Sequence, residues 1–95
     1  MRMRKKKWAV PYLSQRKDAM VENPQEWKGK WRSLTNGGKL HLEIGSGKGA
    51  YWIAMASLYP DDGFIALEKS PDAAAIGLKK CEPVKANMKQ IVGDA

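Results

Sequence analysis

The chain contains only one cysteine, one histidine and one phenylalanine among its 95 residues. A single thiol excludes a disulfide framework and a cysteine-rich zinc site, and it suits a reducing compartment. No apolar run approaches the roughly 18 residues that a membrane span needs. The basic N-terminus is not followed by the apolar stretch of a secretory signal. We therefore expect a cytoplasmic protein that binds no metal and no membrane.

Large apolar side chains are scarce and unevenly distributed. Leucine, isoleucine, valine and phenylalanine make up 17 of the 95 residues, and 13 of these lie in residues 40–95. Residues 1–39 hold 11 basic and 3 acidic side chains, whereas residues 40–95 hold 6 and 7. The net charge of +7 thus comes from the first segment. This division predicts a basic N-terminal extension over residues 1–39 and a packed unit over residues 40–95.

The packed unit alternates strand and helix patterns. Three apolar runs, Leu40–Ile44, 64–67 and 88–92, predict strands. Residues 50–59 and a segment that begins at Ser70 predict the two intervening helices. Because crossovers between parallel strands are right-handed in almost all cases, this order predicts an α/β fold with a parallel sheet. In one half of a doubly wound sheet the spatial order is third, second, first, so the second strand would lie in the middle.

Within the extension, the residues from Asn23 to Glu26 have the chemistry of a helix start, with Pro24 at the first helical position. Trp27 and Trp31 would then share one face of a short helix. A glycine-containing turn at residues 36–38 ends the segment.

The first residues of the extension combine cations with an aromatic ring. Such a combination suits RNA, because cations meet phosphates while rings stack on bases. The alternative is a solvated tail that only improves solubility. The candidate RNA-binding residues are Arg2, Arg4, Lys5, Lys6, Lys7 and Trp8.

Three acidic residues, Glu43, Glu68 and Asp94, follow the predicted strands at the edge where open α/β sheets bind ligands. Glycines after the first strand let the chain turn sharply and let a ligand approach the next helix. Glu68 follows the first of these glycines by 23 residues, near the offset at which an acid binds ribose hydroxyls. The alternative is three ordinary solvated acids. The glycine-rich turn reads Gly45-Ser46-Gly47-Lys48-Gly49.

Two known phosphate-binding sequence patterns can be compared with this glycine-rich turn. The P-loop pattern fails, because it requires Gly at the position of Leu42 and Ser or Thr at the position of Gly49. The dinucleotide fingerprint fits formally and keeps a nucleotide-dependent oxidoreductase open, but the Glu43 carboxylate would repel a pyrophosphate. A ligand that carries cationic groups and no phosphate would favour this acid. S-adenosylmethionine, with a sulfonium, an ammonium and an adenosine, is such a ligand.

The pattern acid-x-Gly-x-Gly-x-Gly resembles the first motif of the Rossmann-like methyltransferases. The whole chain resembles the N-terminal part of the bacterial tRNA (guanine-N(7)-)-methyltransferase family. The residues that carry this resemblance are 1–5, Trp8-Ala9, Asn23-Pro24, 28–31, 41–49 and 65–70.

The resemblance implies the N-terminal half of a doubly wound sheet, with S-adenosylmethionine as methyl donor and tRNA as partner. The acceptor would be ring nitrogen 7 of a guanine, which has a lone pair and no proton, so that catalysis needs orientation rather than a general base. Glu43 would face the methionine end of the donor, Glu68 its ribose and Asp94 its adenine. The implied cofactor-binding residues are Glu43, Gly45, Ser46, Gly47, Gly49, Glu68, Lys69, Asp94 and Ala95.

The same resemblance implies that the acceptor wall and the catalytic residues follow Ala95. The first strand would then be an open edge, and an exposed apolar edge invites pairing with another chain. We expect the isolated 95-residue chain to lack methyl transfer, to bind the donor weakly and to self-associate. The alternative from another class is a non-catalytic RNA-binding fragment. The sequence predicts no particular oligomeric state.

Overall fold

The computed structural model describes residues 7–84 and 87–93. The α/β class and the alternation of strands and helices are confirmed. The helices are α1 (Ala9–Gln15), α2 (Ala50–Leu58) and α3 (Pro71–Cys81), and the strands are β1 (Leu40–Ile44), β2 (Gly63–Glu68) and β3 (Asn87–Val92). Two short 3₁₀ turns, Pro24–Trp27 and Trp31–Leu34, precede β1.

The three strands form one parallel sheet in the order β1-β2-β3, the order expected for one half of a doubly wound sheet. Ala66 of β2 pairs with Glu43 on one side and with Gln90 on the other. Because β2 lies between two strands, its residues 63–66 are all buried. This position explains why β2 is nearly continuously apolar instead of alternating with polar residues.

Helices cover one face of the sheet. Because side chains alternate along a strand, Phe64 and Ala66 point to the same side, and they join Trp52 of α2 and Leu78 of α3 in the buried core. The opposite face carries leucine and isoleucine side chains that border a groove of about 590 Å³. At the β1 edge, Leu42 and Ile44 are 60% and 61% exposed.

Part of the basic segment packs on the helices and on β3. Helix α1 lies against α3 and buries Ala9 and Leu13. The chain then runs beside β3, where the Gln90 amide donates to the Ala19 carbonyl at 2.8 Å and the Val21 amide donates to the Gln90 carbonyl at 3.0 Å. These contacts cover the outer edge of β3, so residues from α1 onward contribute to the core.

The single helix predicted from Asn23 is wrong, because the chain forms two 3₁₀ turns instead. Gly29 adopts a φ of +78°, a left-handed conformation that interrupts a helix. The Asn23 amide donates to the Glu26 carboxylate at 3.3 Å and makes no capping bond to the backbone. Trp27 and Trp31 still meet, with their ring centroids 5.0 Å apart and the planes inclined by 27°.

Candidate functional site

The glycine-rich loop after β1 depends on left-handed backbone at three positions. Gly45, Gly47 and Gly49 have φ angles of +71°, +57° and +82°. Residues that have a Cβ atom rarely adopt such backbone angles. The amides of Gly45 and Ser46 both donate to the Leu67 carbonyl, at 2.7 and 3.1 Å. The loop is thereby bonded to the end of β2, and its fold brings the ends of the first two strands together.

Glu68, the last residue of β2, joins the two loops at this edge of the sheet. Its Oε1 accepts from the Gly47 amide at 2.7 Å, and its Oε2 accepts from the Ser70 amide at 2.9 Å. Ser70 in turn caps α3, because its hydroxyl accepts from the Ala73 amide at 3.2 Å. The carboxylate therefore lies between the glycine-rich loop and the start of α3, and it is half-buried.

Glu43 and Ser46 each place a buried polar oxygen at the site with no hydrogen-bond partner among the described residues. These atoms are Glu43 Oε1 and Ser46 Oγ. Glu43 also borders a cleft of about 360 Å³ between β1 and α2. Burial raises the pKa of the Glu43 carboxyl, because the charged form loses hydration. An unpaired acidic oxygen beside a cleft fits a ligand group that donates hydrogen bonds or carries positive charge.

The Trp52 side chain packs against Gly49, the last glycine of the loop. The indole is 2% exposed, and a Cβ added to Gly49 would lie 2.8 Å from its Nε1. Gly49 is the residue that precedes α2, so the loop enters the helix across the indole ring. Glycine is therefore required here for its backbone conformation and for the close packing.

Gly77 is a site residue that the sequence patterns did not reveal. It lies within α3, where a Cβ would approach the Lys48 carbonyl oxygen to 3.1 Å. The missing side chain lets α3 pack closely against the glycine-rich loop. A glycine inside a helix lowers stability relative to alanine. The presence of a glycine within this predicted helix is therefore the one sequence signal that could have identified Gly77.

The other predicted residues are more dispersed. Lys69 follows Glu68 and is exposed, and Lys7 and Trp8 are exposed at the start of α1. The Trp8 ring has the Lys79 ammonium 4.9 Å from its centroid, an arrangement typical of a cation–π contact. Outside the described residues lie Arg2, Arg4, Lys5, Lys6, Asp94 and Ala95.

Neither a helix long and apolar enough to cross a membrane nor a group of three or more metal-binding side chains occurs in residues 7–84 and 87–93.

Comparison with known proteins places the chain in a family. A family model described as "Putative methyltransferase" matches residues 37–95. This range includes all three strands, the glycine-rich loop and both acids of the described site.

Several curated proteins with the name tRNA (guanine-N(7)-)-methyltransferase are similar to the chain. The Oenococcus oeni protein is 45% identical over 100 residues, which cover 99% of this chain and 46% of the relative. The Acetivibrio thermocellus protein is 43% identical over 83 residues, or 86% and 38% of the two chains. The Limosilactobacillus reuteri protein is 42% identical over 96 residues, or 99% and 45%. The chain thus spans less than half the length of these relatives.

Proposed function

Because the chain belongs to the methyltransferase family whose model matches residues 37–95, we propose that the protein transfers a methyl group from S-adenosylmethionine to ring nitrogen 7 of a guanine in tRNA. The names of the curated relatives support the reaction and the substrate. The observation that carries the donor assignment is the buried, unpartnered Glu43 Oε1 beside the glycine-rich loop.

The residues of this edge fit S-adenosylmethionine, which supplies a methyl group activated by the positive charge on its sulfur. Glu43 attracts the cationic methionine end, and Ser46 offers a buried hydroxyl to the same ligand. Each Glu68 oxygen accepts one amide and keeps a second lone pair, so the carboxylate can also accept from two ribose hydroxyls. The other residues that we assign to the donor-binding site are Gly45, Gly47, Gly49, Lys69, Asp94 and Ala95.

A dinucleotide cofactor is the less favourable occupant. A pyrophosphate binds at a helix N-terminus through backbone amides, but here Glu68 already accepts from the Gly47 amide. Glu43, two residues before the loop, places a second carboxyl group close to it. Two carboxylates at this position repel a phosphate and attract a cationic ligand.

The basic N-terminus supplies the proposed tRNA contact. The chain carries a net charge of +7, and cations that neutralise phosphates strengthen RNA binding by releasing counterions. We assign this contact to Arg2, Arg4, Lys5, Lys6, Lys7 and Trp8, and we propose that the protein acts in the cytoplasm, where its tRNA substrate is found.

Replacing Glu43 by glutamine tests the donor site. The pKa of the Glu43 carboxyl is higher in the folded protein than in the unfolded chain, where it is about 4.3. The carboxyl group therefore favours folding while it is protonated, below the unfolded-state pKa. This stabilisation is lost as the pH rises through the folded-state pKa. At pH 7 the ionised carboxylate is thus unfavourable, and Glu43→Gln should raise the unfolding temperature, with a difference that shrinks toward pH 4. Its affinity for S-adenosylhomocysteine should fall roughly tenfold or more, because a charge-assisted bond to the ligand ammonium is lost.

Thermal-shift assays of the full-length protein measure both effects. The matched control is Glu26→Gln, which neutralises an acid that is exposed in the first 3₁₀ turn and should change neither quantity. The unaltered protein should be stabilised by S-adenosylhomocysteine and not by NAD. Stabilisation by NAD alone would support the oxidoreductase, and an unchanged affinity of Glu43→Gln would remove Glu43 from the site.

A further inference from the structure

A strongly basic segment outside the donor site connects the two 3₁₀ turns. Lys28, Lys30 and Arg32, which we call the basic turn, are all exposed. Residues 27–42 contain four basic side chains and no acidic one. Within the described part of the chain, none of the three cations forms an ion pair. Their charges are therefore available to an external anion.

The turn is held in shape by Trp27, which precedes it, and by Trp31, which lies within it. The stacked rings of Trp27 and Trp31 bring the two 3₁₀ turns together, and Gly29 provides the left-handed residue between them. Lys89 of β3 adds a further cation, with its ammonium 5.4 Å from the centroid of the Trp27 ring. Three cations on a preorganised turn lose less conformational freedom on binding than they would on a flexible tail.

The basic turn shares no residue with the donor site. The end of the second 3₁₀ turn packs at the start of β2, where a Cβ on Gly63 would lie 2.9 Å from the Leu34 Cβ. Glu68 lies at the other end of the same strand. Five residue steps at about 3.3 Å each separate the two ends of β2 by roughly 17 Å. A polymer such as RNA is long enough to contact both ends of this strand.

We propose that the basic turn is a second contact surface for the RNA substrate and binds phosphates of nucleotides remote from the methylated guanine. This inference rests on the proposed function, because it assigns the polymer to tRNA. Aromatic rings beside exposed cations are typical of surfaces that bind single-stranded or looped RNA. Along the chain, the basic turn is separated from residues 1–8 by α1 and by the bridge that Met20 forms with β3.

The test is a salt titration of tRNA binding with the full-length protein. The triple variant Lys28→Ala, Lys30→Ala, Arg32→Ala should bind tRNA more weakly. The slope of log affinity against log salt concentration is negative, and its magnitude should decrease by about 2 to 3, near one for each lost phosphate contact. The matched control is the charge-retaining triple Lys28→Arg, Lys30→Arg, Arg32→Lys, which should keep the slope. Because all three side chains are exposed, both variants should unfold at the same temperature as the unaltered protein.

The outcomes separate this inference from the proposed function. A normal slope in the alanine triple, with tRNA binding by the unaltered protein intact, overturns the basic-turn contact alone. Failure of the unaltered protein to bind tRNA at any salt concentration contradicts the proposed substrate and this inference together. If the alanine triple instead loses binding to anionic vesicles while its tRNA slope is normal, the turn is a membrane contact and the inference is wrong.

Discussion

Replacing Glu68 by alanine is expected to raise the dissociation constant for S-adenosylhomocysteine by about tenfold or more. The substitution removes the acceptors of the Gly47 and Ser70 amides, at 2.7 and 2.9 Å, together with the two proposed bonds to ribose. Hydrogen bonds to a charged group are each worth about 1.5–3 kcal/mol, and 1.4 kcal/mol corresponds to about a tenfold change in affinity. Isothermal titration calorimetry on the full-length protein measures the change.

Two further variants make the Glu68 result specific. Glu68→Gln keeps the shape and one carbonyl acceptor but loses the charge, so its affinity should lie between those of the unaltered protein and Glu68→Ala. Glu26→Ala removes an exposed acid of the first 3₁₀ turn and should leave the dissociation constant unchanged. If Glu68→Ala binds as tightly as Glu26→Ala, then Glu68 has only a structural role in joining the loops.

Replacing Gly49 by alanine should lower the free energy of unfolding by about 2–5 kcal/mol. A non-glycine residue in left-handed backbone costs about 1–2 kcal/mol, and Gly49 has a φ of +82°. The new methyl group would also lie 2.8 Å from the buried Trp52 Nε1 and 3.0 Å from the Ile53 Cδ1. Such overpacking typically costs about 1–3 kcal/mol. Urea denaturation measures the loss.

Gly37→Ala is the matched control for this prediction. Gly37 has a φ of +88°, but no atom lies within 4 Å of the position that its Cβ would take. This variant should therefore show only the backbone cost of about 1–2 kcal/mol. Equal losses at the two positions would mean that the Trp52 indole moves aside freely, and that the packing of α2 does not fix the glycine-rich loop.

Local signals account for the elements that the sequence predicts well. Strand β1 has the predicted bounds, Leu40–Ile44, because a turn and a glycine-rich loop delimit its apolar run. Helix α3 starts where Ser70 and Pro71 place it, since the Ser70 hydroxyl caps the helix and proline suits the first position. The strand order is the one expected for half of a doubly wound sheet.

Long-range packing decides the elements that the sequence did not predict. Helix α1 contains Pro11, and proline usually argues against a helix. Here Pro11 lies in the first turn, where an amide has no partner within the helix, so proline is tolerated. The packing that stabilises α1, with Ala9 and Leu13 buried against α3, joins residues that are far apart in the chain.

Some features of the candidate site could be predicted from the sequence, and others could not. The acids Glu43 and Glu68 and the three loop glycines could be recognised from spacing, because strand ends and turns have local signatures. The contact of Glu68 with the Gly47 amide and the approach of Gly77 to the Lys48 carbonyl could not be predicted. Both depend on the register of β1 against β2 and on the packing of α3, which no single segment specifies.

Nucleoside analysis tests the proposal that this chain carries the donor site of an enzyme that methylates guanine in tRNA. The full-length protein and its Glu68→Ala variant are incubated with S-adenosylmethionine and unmodified tRNA, and the tRNA is then digested and examined by mass spectrometry. We expect 7-methylguanosine to accumulate with the unaltered protein and much more slowly with Glu68→Ala. No methylated nucleoside, or a methyl group on a different atom or base, would contradict the claim.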